Sequence, residues 1–502
     1  MKMNISNLDL PSFVGWRRPA QDALLLGRAE HPSGVTLSRQ LGDRAIMFLW
    51  FILVGYAFLG KGFSYLGFYS IYVGEMALFL GLGAMLISGR IGVSLKSPVM
   101  CLLMFWMLWG SLRTLPYIER WGLMALRDGV LWGYVFFTVM VYELMVAKPY
   151  RLIYFLQKYA WFVLVGPFVL LISWALVLFA YQSIPEMPFV GHGKYKFLML
   201  KQGDIYVHLI GIIAFGKLFE SYARDYGKPW LRGIKRGMSK PWVRILVASL
   251  LVALASSGRG GLLAFIVGLS IYTVWRRMTV RLAVVIFVMV AMMGIAAVSE
   301  FEVASSERGR QVSVQSMMGR ITSMFGSEDA KLELTRQWRL HWWKKIYDYT
   351  FGGEHFWGKG FGVNIADADG FQTAADLEGI KLRSPHNVHM NVLARSGVMG
   401  IGIWTASHLA WFLTMMISYQ IARKHRLYRW TGFFLWIMIY VLACHINGSF
   451  DVYIEGPAGG IWFWTLVGIG LVGAHLMRKY PTLLDDYEFE KFTDEMKSEA
   501  AK

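Results

Sequence analysis

Residues 158–181 read KYAWFVLVGPFVLLISWALVLFAY, an apolar run in which Lys158 is the only charged side chain. A helix crosses a hydrocarbon core about 30 Å thick with roughly 20 apolar residues, so this run is long enough to span a bilayer. Comparable runs recur along most of the 502-residue chain, whose composition is 56% hydrophobic and 16% aromatic. So much apolar surface does not fit one soluble core, and the sequence therefore predicts an all-α polytopic membrane protein.

Hydropathy divides the chain into about twelve predicted spans. They cover residues 45–60, 68–88, 97–113, 129–146, 158–181, 204–221, 243–257, 260–276, 281–298, 398–420, 430–447 and 459–477. The first, seventh and eighth are short enough to be tilted or partly re-entrant. The predicted segments are a cytoplasmic N-terminal segment (1–44), helices 1–9 (45–298), one long loop with short helices (299–397), helices 10–12 (398–477) and a cytoplasmic acidic tail (478–502).

Lysine and arginine collect in alternate connections, which orients the chain because positively charged short loops are retained in the cytoplasm. Basic clusters precede the first span, lie between residues 224 and 240, and mark the turns at 276–281 and 423–429. We therefore expect both termini in the cytoplasm and the long loop facing outward. This topology and attraction to anionic lipids, worth about 1 kcal/mol per basic residue, account for the net charge of +18 without nucleic-acid binding.

Cysteine positions, the first span and the lack of repeats exclude several kinds of membrane protein. The two cysteines, Cys101 and Cys444, lie within predicted spans, so neither a disulfide framework nor a thiolate metal site is predicted. The first span lacks a following small-residue cleavage site, and no removable signal peptide is expected. The sequence has no clear internal repeat, which argues against a transporter built from two similar halves.

The turn SSGRGG, Ser256–Gly261, is the first candidate for chemistry. On the predicted topology it faces outward, so Arg259 departs from the positive-inside pattern. An arginine near membrane depth needs a partner or a wet cavity, and its guanidinium suits phosphate oxygens where neighbouring glycines let a ligand approach. An arginine that extends to lipid headgroups is the alternative.

The end of the long loop, SPHN at Ser384–Asn387, is the second candidate. The pattern predicts a short amphipathic helix that Gly397 ends, with His386 and His389 at i, i+3 on one face. A neutral imidazole is a natural general base toward a sugar hydroxyl, while a purely structural histidine is the alternative. The HxxH spacing also raises zinc, but no third ligand has a recognisable spacing to it, so no metal is predicted.

The middle of the long loop carries basic and aromatic side chains that could contact glycan. Trp338, Trp342 and Trp343 could stack on sugar faces, although tryptophan is also enriched at membrane interfaces. Loop arginines are usually solvated, which is the alternative for this set. The candidate glycan contacts are Arg320, Arg336, Arg339 and Trp342.

The order of these motifs resembles the O-antigen ligase/polymerase superfamily, that is, Wzy-type polysaccharide polymerases and O-antigen ligases. The resemblance comprises an outward SGRGG turn, a long loop with GKGFG at Gly358–Gly362, and a terminal HN-x-H-x-N-x-L-x-x-x-G-x-x-G. It is strongest over Ser256–Gly400. The segment ALRDG at Ala125–Gly129 also looks like the family.

The resemblance implies a metal-independent, inverting membrane glycosyltransferase without a cofactor. It would use undecaprenyl-diphosphate-linked oligosaccharide on the periplasmic face of the bacterial inner membrane. Arg259 would hold the donor diphosphate, and His386 would activate the acceptor hydroxyl. We predict further diphosphate contacts from Arg383, which lies just before SPHN, and from Lys201 or Arg127, and we expect Asn387 or His389 to orient His386.

Two departures from the family pattern are visible. Many members carry a glutamate two residues before the glycine at position 397, where this chain has Arg395. The segment GHGKYKFLMLKQGD, 191–204, has Lys194, Lys196 and Lys201 where ligases commonly place an arginine. Lysine still binds phosphate as a point charge but loses bidentate geometry.

The sequence leaves three acceptors open: another lipid-linked repeat unit, lipid A–core, or a protein hydroxyl. We favour polymerisation of a surface polysaccharide, exopolysaccharide or O-antigen, because an extended loop suits two glycan chains. Other expected partners are the lipid bilayer and further polysaccharide assembly proteins, with no nucleic acid. A transporter or flippase of about twelve helices is the alternative class, but it would place polar chemistry near the bilayer midplane.

Overall fold

The computed structural model describes residues 32–68, 71–87, 92–187, 195–216, 259–277, 302–304, 311–313, 330–372 and 381–484, together with single residues or short pieces between 218 and 247. Its helices are α1 (Pro32–Leu59), α2 (Val73–Ile87), α3 (Pro98–Trp121), α4 (Leu123–Asp128), α5 (Val130–Gly133), α6 (Val135–Ala147), α7 (Tyr150–Phe179), α8 (Gln202–Ala214), α9 (Arg259–Trp275), α10 (Ala330–Phe351), α11 (Ile365–Asp369), α12 (Val388–Lys424), α13 (Tyr428–Gly448) and α14 (Pro457–Lys479). The described residues also form two short antiparallel strand pairs: β1 (Gly67–Phe68) with β2 (Ile71–Tyr72), and β3 (Glu302–Ala304) with β4 (Gln311–Ser313).

Seven helical segments among the described residues are long and apolar enough to cross a membrane. This confirms the predicted class, a helical polytopic membrane protein. The segments are Gln40–Leu59, Pro98–Trp121, Val130–Ala147, Tyr150–Phe179, Val388–Lys424, Tyr428–Gly448 and Pro457–Lys479. Two shorter apolar helices, Val73–Ile87 and Gly260–Trp275, coincide with further predicted spans. The predicted span 281–298 and most of 243–257 lie outside the described residues.

Helix α14 forms the centre of the bundle. It packs on α6, α13, α12 and α1, and almost its whole length is buried. Glycines at the contacts let neighbouring helices approach closely: a Cβ at Gly468 would lie 3.0 Å from the Thr138 carbonyl oxygen. Side chains also bond across the helices, as when the Trp411 indole N–H donates to the Val467 carbonyl at 3.0 Å.

The described part of the long loop docks on the bundle through the glycine-rich segment GKGFG. Gly358 and Gly360 have φ values of 77° and 85°, a region that favours glycine. A Cβ at Gly358 would lie 2.5 Å from the Arg395 carbonyl, and one at Gly360 would enter the Tyr117 ring. Close packing against α12 and α3 therefore explains these glycines.

Helix α12 corrects one sequence expectation. The structure has a single helix from Val388 to Lys424 with a kink, whereas the sequence predicted a short helix that ends before a separate span. Gly397 lies at the kink with φ 70° and ψ −166°, so the predicted break is present in the backbone although the helix continues beyond it. The Val398 N–H then donates to the Phe356 carbonyl at 3.0 Å, outside the helix ladder.

Candidate active site

Asp451 is the centre of a polar cluster at the end of the bundle where α13 meets α14. The Lys201 ammonium lies 2.9 Å from both carboxylate oxygens of Asp451. The Nδ1 atom of His386 lies 3.6 Å from the nearer of these oxygens. The structure therefore brings together two predicted site residues, from the start of α8 and the end of the long loop, through a carboxylate that the sequence analysis did not single out.

The charges in this cluster stabilise one another. Burial alone would raise the pKa of Asp451, but the Lys201 charge and the His386 imidazole outweigh it and hold that pKa well below its usual value. Burial likewise opposes the charge on Lys201, yet the carboxylates of Asp451 and Asp204 raise its pKa overall. Asp451 and Lys201 are thus an ion pair at neutral pH, and Asp451 presents a fixed negative charge to His386.

His386 has an unusual backbone conformation that directs it to this cluster. Its φ of 53° is uncommon for a residue with a side chain. The preceding residue, Pro385, is fixed because its carbonyl accepts the Trp343 indole N–H at 2.9 Å. The imidazole is 28% exposed, so a substrate can reach it.

The predicted i, i+3 pairing of His386 with His389 is wrong, because the helix begins only at Val388. Asn387 is the N-cap, and its side-chain oxygen accepts the N–H groups of His389 and Met390 at 2.9 and 3.2 Å. The His389 ring instead stacks on His445 with centroids 5.8 Å apart. Asn387 therefore positions the helix start beside His386, and His389 lies within the bundle.

Asp128, at the end of α4, anchors the end of the long loop. Its Oδ2 atom lies 2.8 Å from Arg383 Nη2, 2.9 Å from Arg395 Nη1 and 3.0 Å from the Gly362 N–H. Arg383, predicted to contact diphosphate, is thus engaged within the protein. Arg395, the departure from the family pattern, is 2% exposed and has Asp128 as its partner.

Glu455 adds a half-buried acidic group near the end of the long loop. Its Oε2 atom accepts the Asn391 amide at 2.8 Å. Burial raises the pKa of Glu455 to about 7; Ser384 and Arg395 partly oppose that rise, while Asp451 and Asp128 add to it. Glu455 therefore changes protonation near neutral pH, beside the segment that carries His386.

Arg127 and Lys61, at this end of the bundle, each lack a carboxylate within ion-pair distance among the described residues. Arg127, a predicted diphosphate contact, is exposed on α4. Lys61 was missed, although an outward lysine between two glycines at the end of a span breaks the positive-inside pattern as Arg259 does. Desolvation, followed by the nearby charge of Lys201, lowers the pKa of Lys61.

Arg259 is the first residue of α9, and the position of its side chain lies outside the described part of the structure. The backbone of the next two residues, Gly260 and Gly261, packs closely against the site. A Cβ at Gly261 would meet the Gly203 backbone, and one at Gly260 would lie 2.6 Å from Phe450 Cβ. The start of α9 therefore contacts the segments that carry Lys201 and Asp451.

Three of the four candidate glycan contacts in the long loop bond to other groups of the protein, and the fourth lies outside the described residues. Trp342 is fully buried, and its indole N–H donates to Asp369 at 2.7 Å, so its prediction as a glycan contact is wrong. Arg339 donates to the Phe450 carbonyl at 3.0 Å, next to Asp451. Arg336 pairs with Glu333 on the exposed face of α10. Arg320 lies outside the described residues.

The HxxH spacing of His386 and His389 raised zinc binding as an alternative. Among the residues that the structure describes, no group of three His, Cys, Asp or Glu side chains is arranged to hold a metal ion. The polar groups at this site include the ion pair of Lys201 and Asp451, the accessible His386 imidazole and the cations Lys61 and Arg127. This donor set fits an anionic substrate that also presents a group for deprotonation.

The helical bundle and this cluster define a membrane protein with an accessible histidine and several cations at one end. Residues 245–405 match a family model described as O-Antigen ligase. The match confirms the resemblance to the O-antigen ligase/polymerase superfamily over the segment that contains Arg259, the long loop and His386. It indicates a membrane enzyme of the glycosyltransferase type in polysaccharide and O-antigen assembly. A comparison with curated proteins gives no match.

Proposed function

We propose that this protein transfers glycan from undecaprenyl diphosphate to an acceptor hydroxyl on the periplasmic face of the inner membrane. The observation that carries the proposal is the cluster in which His386 faces Asp451 beside several cations. An imidazole next to a fixed carboxylate suits a general base, and the cations suit a diphosphate leaving group. The family match over residues 245–405 supports the same chemistry.

In the proposed reaction, the acceptor oxygen attacks the anomeric carbon while the bond from that carbon to the diphosphate oxygen breaks. The Nδ1 atom of His386 faces Asp451, which leaves Nε2 to take the acceptor proton. Asp451 stabilises the imidazolium that forms. A single displacement of this kind inverts the anomeric configuration and needs no metal ion.

Negative charge develops on the bridging oxygen as the diphosphate leaves, and preplaced cations stabilise that charge more in the transition state than in the ground state. Arg259, at the start of α9, is the proposed principal diphosphate contact. Arg127 is free of ion pairs among the described residues and suits the same role. Lys201 contributes less net charge because Asp451 neutralises it.

We favour a polymerase that joins lipid-linked repeat units. The supporting feature is the length of the long loop, residues 299–397, because an extended loop suits a site that holds a donor glycan and an acceptor glycan. Ligation onto lipid A–core and transfer to a protein hydroxyl use the same donor chemistry and are the alternative outcomes of the test below.

The test is incubation of the purified full-length protein with undecaprenyl-diphosphate oligosaccharide. Ladders of increasing length without another acceptor would support the polymerase, and product only with lipid A–core would support the ligase. His386→Ala should abolish transfer, whereas His341→Ala, an exposed histidine of α10, should keep it. Undiminished transfer by His386→Ala would overturn the assigned base, and no transfer by wild type to any acceptor would overturn the proposed function.

A further inference from the structure

The turn after α1, GKGFSY at Gly60–Tyr65, packs tightly against residues 196–201. Gly60 has a φ of 66°, and a Cβ there would meet the Met199 carbonyl. A Cβ at Gly62 would meet carbonyl oxygens of the same segment. The Lys61 N–H donates to the Met199 carbonyl at 2.9 Å. The two glycines therefore permit a close backbone approach that places Lys61 beside the Lys201 segment.

This approach concentrates positive charge. The bond from the Lys61 N–H to the Met199 carbonyl brings Lys61 alongside the segment that ends at Lys201. Burial lowers the pKa of Lys61 most, the charges of Lys201 and Arg127 both lower it further, and the charge of Asp451 partly opposes them. Asp451 neutralises Lys201, but Lys61 and Arg127 have no such partner among the described residues. Like charges held together by the fold repel one another, and an anion bound between them relieves that cost. The proximity of Lys61 and Arg127 thus points to an anionic ligand.

Two tyrosines adjoin the charged site. The rings of Tyr65 and Tyr195 stack with centroids 4.1 Å apart, and both side chains are partly exposed. Lys61 Nζ lies 6.0 Å from the Tyr65 centroid and 5.8 Å from the Tyr195 centroid. Tyr72 supports the pair from the edge, with its ring 5.8 Å from that of Tyr65. The pair combines an apolar ring surface with hydroxyls, a combination suited to the C–H and O–H groups of a sugar.

We propose that Lys61 and Arg127 bind the donor diphosphate on the side of the first sugar, and that Tyr65 and Tyr195 contact that sugar. This rests on the proposed function and assigns the donor's sugar-phosphate portion to the α1–α2 turn. A sugar ring is joined to its phosphate through one oxygen atom, so ring and phosphate always lie within a few ångströms. The spacing between the Lys61 ammonium and the two tyrosine rings matches that requirement.

The test compares two ligands, undecaprenyl diphosphate and the same lipid carrying its oligosaccharide, on the full-length protein in nanodiscs. Lys61→Ala should weaken binding of both ligands by about 10-fold or more, as expected for a lost charge-assisted contact. Tyr195→Ala should weaken binding of the glycosylated lipid alone. Lys61→Arg should restore most of the affinity for both.

A matched control exists at the opposite end of the bundle, where Lys158 Nζ lies 5.2 Å from the Tyr154 ring centroid in α7. Lys158→Ala should leave both affinities unchanged. Equal binding by wild type and Lys61→Ala, or equal losses for both ligands in Tyr195→Ala, would overturn the assignment. If one of these two results is obtained while wild type still transfers glycan, the proposed function survives and only this subsite fails. If wild type neither binds the lipids nor transfers glycan, the proposed function fails as well.

Discussion

The Nδ1 atom of His386 lies 3.6 Å from an Asp451 carboxylate oxygen, although 64 residues separate them in the chain. Asp451 also holds Lys201 at 2.9 Å. The carboxylate therefore orients the imidazole and secures a cation at the same time. In the proposed reaction, Asp451 would act through His386 and would be a positioning residue.

Asp451→Asn should lower kcat by about 10²–10⁴-fold, the usual contribution of a positioned general base, while the shape of the site is kept. The amide cannot stabilise an imidazolium as a carboxylate does. The measurement is kcat with saturating lipid-linked donor. Asp348→Asn, on the exposed face of α10, is the control and should retain the wild-type rate. Wild-type kcat in Asp451→Asn would contradict the positioning role.

Asp128→Ala should destabilise the protein, because two arginines share this one carboxylate. Arg395 is buried, so its charge would be left without the Asp128 partner, at a cost of about 3–5 kcal/mol. Thermal unfolding of the purified protein in detergent is the measurement. Asp348→Ala removes a carboxylate from an exposed pair with Lys344 and should change stability by less than about 1 kcal/mol. Equal melting temperatures for the two variants would contradict the anchoring role.

Glu455 should make stability depend on pH. Its pKa in the folded protein is about 7 against an ordinary 4.5, so the folded state binds the proton more tightly than the unfolded state does. The stabilisation is therefore complete below pH 4.5 and is lost as pH rises toward 7, by about 3 kcal/mol at most. Thermal unfolding of wild type and Glu455→Gln between pH 5 and 8 is the measurement. Wild type should lose stability relative to the variant as pH rises, and parallel curves would contradict the shifted pKa.

Trp342 should matter for the stability of the long loop and not for glycan affinity. Trp342→Ala removes a fully buried side chain, with an expected cost of about 3–5 kcal/mol. Trp342→Phe keeps most of the packing and loses the bond to Asp369. Its KM for the lipid-linked donor should equal the wild-type value, measured with the same transfer assay. A raised KM in a stable Trp342→Phe protein would return this residue to the glycan site.

The membrane class could be predicted from sequence because hydropathy needs no knowledge of tertiary contacts. The predicted span 158–181 lies largely within Tyr150–Phe179, and 459–477 lies inside Pro457–Lys479. Short segments at boundaries were less predictable. The helical register around His386 was misplaced because the pattern SPHNVH does not reveal that Asn387 caps the helix and leaves His386 outside it.

The partners of the site residues could not be predicted from local spacing. Asp451 is one acidic residue in the turn before α14, and nothing near it in sequence indicates that Lys201 and His386 contact it. Asp128 lies beside Arg127 in the segment ALRDG, but its contacts come from the far end of the long loop. Lys61 could have been predicted as a candidate site residue, because its outward position and its flanking glycines are visible in the sequence.

The single carboxylate of Asp128 joins α4 to both arginines at the end of the long loop, and α4 lies outside the segment matched by the family model. Asp128 and two arginines more than 250 residues further along the chain therefore form one group of interacting charges. Among homologues that keep this architecture, substitutions at positions 128, 383 and 395 should co-vary, because loss of the carboxylate at position 128 leaves two arginines without their shared partner. The N-terminal half is then expected to have evolved together with the C-terminal half. A chimaera joined between α4 and the long loop will work only when the residues at positions 128, 383 and 395 all come from the same parent protein.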